Sequence, residues 1–163
     1  MTSHGKIRFD VIFEAVGHND AKFRNDVQVF MRGAHPASYH LPTDEGAMHG
    51  GDASAPYPLA YFASALTACV MTQIRAFAKR LSLKVDNFDV STRCHWQGEQ
   101  VGNAPYVSVP VAFNMDIDIR GQLSNSDKRE LLKAAQSGCF IEASLKPGLV
   151  VHRLLLDDEW TEV

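Results

Sequence analysis

The stretch GGDASAPYPLAYFASALTACVMTQI, residues 50–74, decides the fold of this chain. Its paired glycines free the backbone. Prolines are tolerated only in or before the first turn of a helix. The spacing therefore predicts a helix that begins near Pro56 to Pro58 and runs to about Leu81.

This helix carries no charge between Asp52 and Arg75, and its apolar side chains fall on every face. That pattern is typical of a helix enclosed on all sides. A membrane span needs about 20 predominantly apolar residues, but the prolines, serines, threonines and alanines make this run a poor candidate. We expect a buried helix and no membrane association. The small residues would let another element pack closely, and the same helix of a second subunit is one such element.

Length and charge limit the class of protein. The chain has 163 residues and a mass of 18.0 kDa, which predicts a single domain over residues 1–163. Its net charge is -3 and no basic run is longer than Lys79-Arg80, so we expect no nucleic-acid partner. No signal peptide is visible, and we expect a cytoplasmic protein.

The chain has three widely spaced cysteines, which do not form a disulfide scaffold. In a reducing compartment, a pair of cysteines is more often catalytic, redox-active or metal-binding. The cysteines are therefore the first candidates for chemistry.

Alternation of apolar and polar residues predicts strands over much of the remaining chain. The first two strands are expected to form a half-buried hairpin, and the third to be a short edge strand. Pro110 lies on the polar face of its strand, which indicates an edge position or a bulge. The strands are predicted over residues 7–15, 22–31, 38–41, 88–96, 107–119 and 149–156.

Two more helices are predicted near the C-terminus. Ser124 and Asp127 have the spacing of a capping box, and the helix that they begin should end at Gly138. A short helix over Phe140 to Leu145 follows. Because neighbouring strands are mostly joined by turns, the element order predicts an antiparallel α+β fold.

Each cysteine has a structural and a chemical interpretation, since a free cysteine is commonly a small buried hydrophobe. Cys139 follows a helix-ending glycine at the start of a short helix, where amide groups and the helix dipole stabilise a thiolate. Cys69 lies in the long helix beside Thr72 and Gln73, and its thiolate would need an added cation. Cys94 has neither feature and is expected in the core.

The run from Gly50 to Cys69, read together with Cys139 between two helices, resembles the OsmC/Ohr family of thiol peroxidases. The resemblance covers nearly the whole chain in element order and spacing. It implies an intertwined homodimer, in which two long helices pack centrally against antiparallel sheets and the active sites lie at the interface.

The resemblance also implies a mechanism. Cys69 would attack the O–O bond of an organic hydroperoxide, and Cys139 would resolve the resulting sulfenic acid as a disulfide. A small or lipoyl dithiol would then reduce that disulfide, and no cofactor is implied.

The chain departs from the family's usual pattern at the groups around the two sulfurs. An acid commonly lies about ten residues before the first cysteine and orients an arginine of the first hairpin, but here that position is Leu59. The nearest cations in the hairpin are Lys22 and Arg24, which become candidate supporting residues. Phe140 stands where a proline commonly follows the second cysteine.

Two further polar residues are candidate supports for the cysteine pair. Gln73 lies one turn after Cys69, and Glu142 lies one turn after Cys139, where it could replace the missing acid. The seven histidines show no spacing of a metal site, so no metal is expected.

Two functions stay open on the sequence alone. Retention of Cys69 and Cys139 favours a thiol-dependent peroxidase, which is the reading we favour. Leu59 favours a non-catalytic dimer that binds an apolar small molecule or senses oxidants.

Overall fold

The computed structural model describes residues 7–20 and 22–163, so the first six residues, on which the signal-peptide expectation partly rests, lie outside it. The chain divides into two compact units, Met1–Tyr61 and Phe62–Val163. The chain contains both helices and strands, which confirms the α+β fold class. The single-domain assignment over residues 1–163 stays a prediction.

The N-terminal unit contains a three-stranded antiparallel sheet in the order β1-β2-β3. Its strands are β1, Ile12–Asn19, β2, Asn25–Arg32, and β3, Ala37–His40. The predicted hairpin and edge strand are therefore confirmed, although β1 begins later than residue 7 and extends past residue 15. All eight residues of β1 are exposed. The prediction of a half-buried first strand is wrong for the single chain, because alternation shows which residues share a face but not what covers it.

The long helix is α1, Pro58–Arg80, which confirms the predicted bounds. Its fully buried residues form one stripe with a spacing of four, rather than covering every face as the sequence pattern predicted. One layer of partners in the same chain can bury only one side of a helix. No helix among the described residues is both long and apolar enough to cross a membrane. The buried stripe consists of Leu66, Val70, Ile74 and Ala78.

The C-terminal unit is built on a four-stranded sheet in the order β4-β5-β6-β7. Its strands are β4, Lys84–Glu99, β5, Val107–Gln122, β6, Val150–Leu156, and β7, Glu159–Glu162. The β4/β5 pair is antiparallel, as predicted, and the β6/β7 pair is antiparallel as well, but β5 and β6 are parallel. The antiparallel prediction does not hold for that one pair, because two helices lie between β5 and β6 and supply the crossover that parallel strands need. The strand β7 was not predicted.

Pro110 lies at an irregularity of the β4/β5 ladder. Trp96 pairs with Pro110 while His95 pairs with Ala112, so one residue of β5 is skipped. This register shift is a bulge, which confirms the prediction made from the position of the proline.

The two crossover helices are α2, Asn125–Gly138, and α3, Phe140–Ala143. Ser124 and Asp127 form the predicted capping box at the start of α2. Helix α3 is shorter than predicted. The core of this unit lies where α1 and α2 meet the sheet. Its fully buried side chains include Leu66, Val70, Ile74, Phe113, Met115, Ile117, Ile119, Leu131, Leu132, Cys139 and Leu154.

Candidate active site

The structure brings Cys69 and Cys139 together. Cys69 lies half-buried on α1, and Cys139 lies between α2 and α3, where it ends one helix and begins the next. The Cys69 side chain lies close enough to Cys139 to raise the pKa of the Cys139 thiol. Both cysteines are free thiols. Two residues 70 positions apart in the sequence thus form one site in the C-terminal unit.

Cys139 is held as a protonated thiol. Its burial, foremost, and the neighbouring Cys69 thiol raise its pKa to about 12. Backbone amides at Glu142 and Ile141 act in the opposite direction, and the Glu142 N–H donates to the Cys139 Sγ at 3.4 Å. The amides predicted from the sequence are therefore present, but the prediction of a stabilised thiolate at Cys139 is wrong, because only 1% of the residue is exposed and desolvation dominates.

A glycine lets α1 approach Cys139 closely. A Cβ added at Gly138 would lie 2.7 Å from Phe77 Cζ, closer still to Phe77 Cε2, and 3.3 Å from Gln73 Oε1. Gln73, a predicted supporting residue, therefore packs against the residue that precedes Cys139. The sequence marked Gly138 as a helix end, and its role in close packing was missed.

Glu142, the second polar candidate, is joined to the site in two ways. Its backbone N–H contacts the Cys139 sulfur, and its carboxylate Oε2 lies 3.2 Å from His152 Nε2. His152 is on β6 with only 4% of its side chain exposed. Sequence reasoning missed His152, since its place in an alternating strand is the only signal that the sequence carries.

Lys22, Arg24 and Arg75 each have hydrogen-bond partners within their own unit. In the N-terminal unit, Arg24 donates to the Ser54 carbonyl and hydroxyl and to Asp26, and Lys22 pairs with Asp52 at 3.0 Å. In the C-terminal unit, Arg75 of α1 donates to backbone carbonyls of the strand that follows it. The assignment of Arg24 and Lys22 as supporting residues stays a prediction.

The Ser54 that binds Arg24 is itself held by a buried carboxylate. Asp44 is only 2% exposed, and it accepts hydrogen bonds from the Ser54 N–H at 2.9 Å, the Ser54 hydroxyl at 2.7 Å and the Glu45 N–H at 2.8 Å. These bonds, with those from Ser54 foremost, lower the pKa of Asp44. The Asp44–Ser54 pair thus fixes the loop before α1 and one partner of Arg24.

Leu59 lines an open cavity of about 530 Å³ in the N-terminal unit. The side chain is 53% exposed, and its neighbours in the lining are Met48, Tyr57 and Ala60, with Glu45 and His49 also present. The position that the family commonly gives to an acid is therefore part of a mainly apolar surface.

The remaining cysteine has a structural place. Cys94 lies half-buried on β4 and packs against the core, as predicted, and burial raises the pKa of its thiol. Within residues 7–20 and 22–163, no group of three or more metal-ligating side chains occurs.

Comparisons with known proteins identify the family. The model of the OsmC-like protein family matches residues 50–152. No curated protein sequence matches the chain.

The chain is similar to several solved structures. An OsmC-like hydroperoxide resistance protein from Jannaschia sp. CCS1 is 38% identical, with 94% of this chain and 98% of that chain covered and a TM-score of 0.54. The organic hydroperoxide resistance protein OsmC of Legionella pneumophila is 18% identical, with 91% and 97% covered and a TM-score of 0.60. An organic hydroperoxide resistance protein of Vibrio cholerae is 14% identical, with 98% and 99% covered and a TM-score of 0.56.

The last two similarities show the fold alone, whereas the family match spans more than half of the chain and includes both Cys69 and Cys139. The chain therefore belongs to the OsmC-like family, which includes hydroperoxide resistance proteins.

Proposed function

We propose that this protein is a thiol-dependent peroxidase that reduces organic hydroperoxides through Cys69 and Cys139. The observation that carries the proposal is the proximity of these two free thiols, one half-buried and one buried. The relative from Jannaschia, at 38% identity, is a hydroperoxide resistance protein, which supports the same substrate class.

The two sulfurs take different roles in this reaction. The Cys69 sulfur attacks the outer peroxide oxygen, the O–O bond breaks, and an alcohol leaves, so that Cys69 becomes a sulfenic acid. Cys139 then attacks the Cys69 sulfur, a disulfide forms, and the leaving hydroxide takes the Cys139 proton to become water. The Cys139 thiol suits the second role, because its pKa of about 12 keeps it protonated while Cys69 reacts. A protonated thiol can also donate a weak hydrogen bond to a nearby sulfur.

The cycle closes when a dithiol reduces the disulfide. We propose a small or lipoyl dithiol as that partner, and a cytoplasmic location would supply the reducing conditions. No step of this cycle requires a cofactor, because the cysteine sulfurs supply the two electrons that reduce the peroxide.

We further propose that the protein acts as a homodimer. Large apolar side chains remain exposed on the first strand and on the β4/β5 hairpin, including Phe13, Val16, Tyr106 and Val107 at 55%, 65%, 67% and 69%. Exposed apolar surface of this kind marks interaction sites. Sedimentation at micromolar concentration is expected to give a dimer, and a monomer would contradict the proposal.

Cysteine variants test the peroxidase reaction. With cumene hydroperoxide and a dithiol, Cys69→Ser should lose all activity, while Cys139→Ser should complete one turnover and stop as a sulfenic acid or a mixed disulfide. Cys94→Ser is the matched control and should keep wild-type turnover. If the wild type consumes peroxide no faster than a free thiol, the peroxidase assignment is wrong.

The cavity at Leu59 favours a second candidate, a non-catalytic dimer that binds an apolar small molecule or senses oxidants. Its volume of about 530 Å³ falls in the range of small-molecule sites, which are mostly apolar with a few polar groups. Under this assignment, Leu59→Glu should weaken binding of an apolar fluorescent probe, while the cysteine variants should leave it unchanged.

A further inference from the structure

We propose that His152 and Glu142 form a positioning pair for Cys139, so that His152 acts on the resolving step through Glu142. This inference rests on the proposed peroxidase function. It assigns a role to a buried histidine and a partly buried glutamate that neither sulfur step uses directly.

Glu142 connects the histidine to the cysteine. Its backbone N–H donates to the Cys139 Sγ at 3.4 Å, and its carboxylate Oε2 lies 3.2 Å from His152 Nε2. A shift of the Glu142 backbone toward or away from His152 therefore moves the donor that holds the Cys139 sulfur. The connection is short, since one residue spans both contacts.

The pair is unusual because it is buried. The side chains of His152 and Glu142 are 4% and 19% exposed. Among the residues that the structure describes, the facing atoms, His152 Nε2 and Glu142 Oε2, make no aligned hydrogen bond. Burying polar groups without aligned partners is costly, so this pair beside Cys139 calls for a physical explanation.

His152 supplies an anchor that α3 lacks. Helix α3 has four residues, Phe140–Ala143, and so short a helix is not stable by itself. His152 belongs to a strand with neighbours on both sides, where it pairs with Met115 and accepts a hydrogen bond from the Val163 N–H. A contact from the sheet can therefore fix the first turn of α3, which carries the donor to Cys139.

The resolving step is sensitive to such positioning. The Cys139 Sγ must approach the sulfur of the Cys69 sulfenic acid in line with the S–O bond that breaks, while the Cys139 proton passes to the leaving hydroxide. A misplacement of about 1 Å can cost about 100-fold in rate. Formation of the Cys69 sulfenic acid needs no movement of Cys139, so the pair should affect only the second step.

The test separates the two steps in a single turnover with cumene hydroperoxide. A dimedone-type probe follows the sulfenic acid, and intact mass follows the disulfide. In His152→Leu and Glu142→Ala, we expect the sulfenic acid to form at the wild-type rate and the disulfide to form about 10-fold more slowly. This loss is smaller than the roughly 100-fold loss that a misplacement of about 1 Å can cause. The double variant should be no slower than either single variant, because both changes break one contact.

Two variants distinguish positioning from packing. His152→Gln retains a side-chain N–H near the place of Nε2 and should restore most of the disulfide rate. His95→Leu, a change at an exposed strand histidine, should have no effect. Wild-type disulfide formation in His152→Leu and Glu142→Ala, equal slowing of both steps, or a Gln variant no better than Leu would overturn the proposal.

A second oxidant separates this proposal from the peroxidase assignment. Diamide oxidises a pair of thiols to a disulfide without a sulfenic acid and is itself reduced to a hydrazine. If the wild type forms no sulfenic acid with peroxide, the proposed function fails, but slower diamide-driven disulfide formation in Glu142→Ala would still support the positioning pair. An unchanged rate of diamide-driven disulfide formation would overturn it.

Should His152→Leu not fold, Glu142→Ala decides the question, because the Glu142 side chain is partly exposed.

Discussion

Gly138→Ala should slow the formation of the Cys69–Cys139 disulfide, because the added methyl has no room. It would lie 2.7 Å from Phe77 Cζ and closer to Cε2, whereas carbon atoms pack at about 3.5–4.0 Å. The ring or the end of α2 must therefore move by about 1 Å. Phe77 packs against the core, and Arg80 lies over its ring at 5.4 Å, so we expect a part of the shift to fall on Gly138 and its neighbour Cys139.

Two effects on stability oppose each other in this variant. Alanine is favoured over glycine inside a helix by about 1 kcal/mol, and overpacking a core costs about 1–3 kcal/mol. The net change in the free energy of unfolding should therefore be a loss of about 0–2 kcal/mol. The rate of disulfide formation should change more than the stability does, since displacing a reacting atom by about 1 Å can lower a rate about 100-fold.

The assay is single-turnover disulfide formation after cumene hydroperoxide, followed by intact mass, with chemical denaturation for stability. Gly98→Ala is the matched control, because its Cβ would meet its nearest neighbour, Tyr106, at an ordinary 3.5 Å. Phe77→Leu added to Gly138→Ala should recover part of the rate by removing the clash. Wild-type disulfide formation in Gly138→Ala, with wild-type stability, would refute the close-packing argument.

Three further predictions follow from other parts of the structure. The Cys139 pKa is raised from 9.0 to about 12, so this thiol ionises at lower pH in the unfolded chain than in the folded one. Stability should therefore fall as pH rises from about 9 to about 12. In a denaturation series over this pH range, Cys139→Ala should remove the part of the fall that is due to this thiol. The pKa of Asp44 is lowered below 3.8, chiefly by Ser54, so the stability that Asp44 contributes is present above that pH and is lost on acidification. Ser54→Ala should therefore lower Tm at neutral pH and flatten the loss of stability below pH 3.8. An unchanged Tm would contradict the Asp44–Ser54 network. Ser124→Ala removes the capping box of α2 and should cost about 1 kcal/mol of unfolding free energy, measured with Ser126→Ala in the same first turn as the control.

Much of the fold could be predicted from the sequence because its signals are local. Pro58 at the start of α1, the Ser124 capping box and the strict alternation of β5 each act over a few residues. The bulge at Pro110 is also a local effect, because a proline lacks the N–H that a strand needs for its hydrogen bonds to a neighbouring strand.

The two cysteines could be selected as candidates because residue type and flanking elements favoured them, and their pairing came from a resemblance. Their electrostatics could not be predicted in the same way. The amide donors to Cys139 follow from a helix start, but the dominant effect on its pKa is burial, which depends on elements far away in the chain.

Features that join distant segments were decided only by the tertiary structure. The parallel pairing of β5 with β6, the placement of His152 beside Glu142 and the need for a glycine under Phe77 all depend on how α1, α2 and the sheet pack. Local patterns in the sequence determine which residues form each helix or strand and which face is apolar. The partner of each face, and hence the environment of each thiol, is set by long-range packing, because burial and distance exist only once separate segments meet.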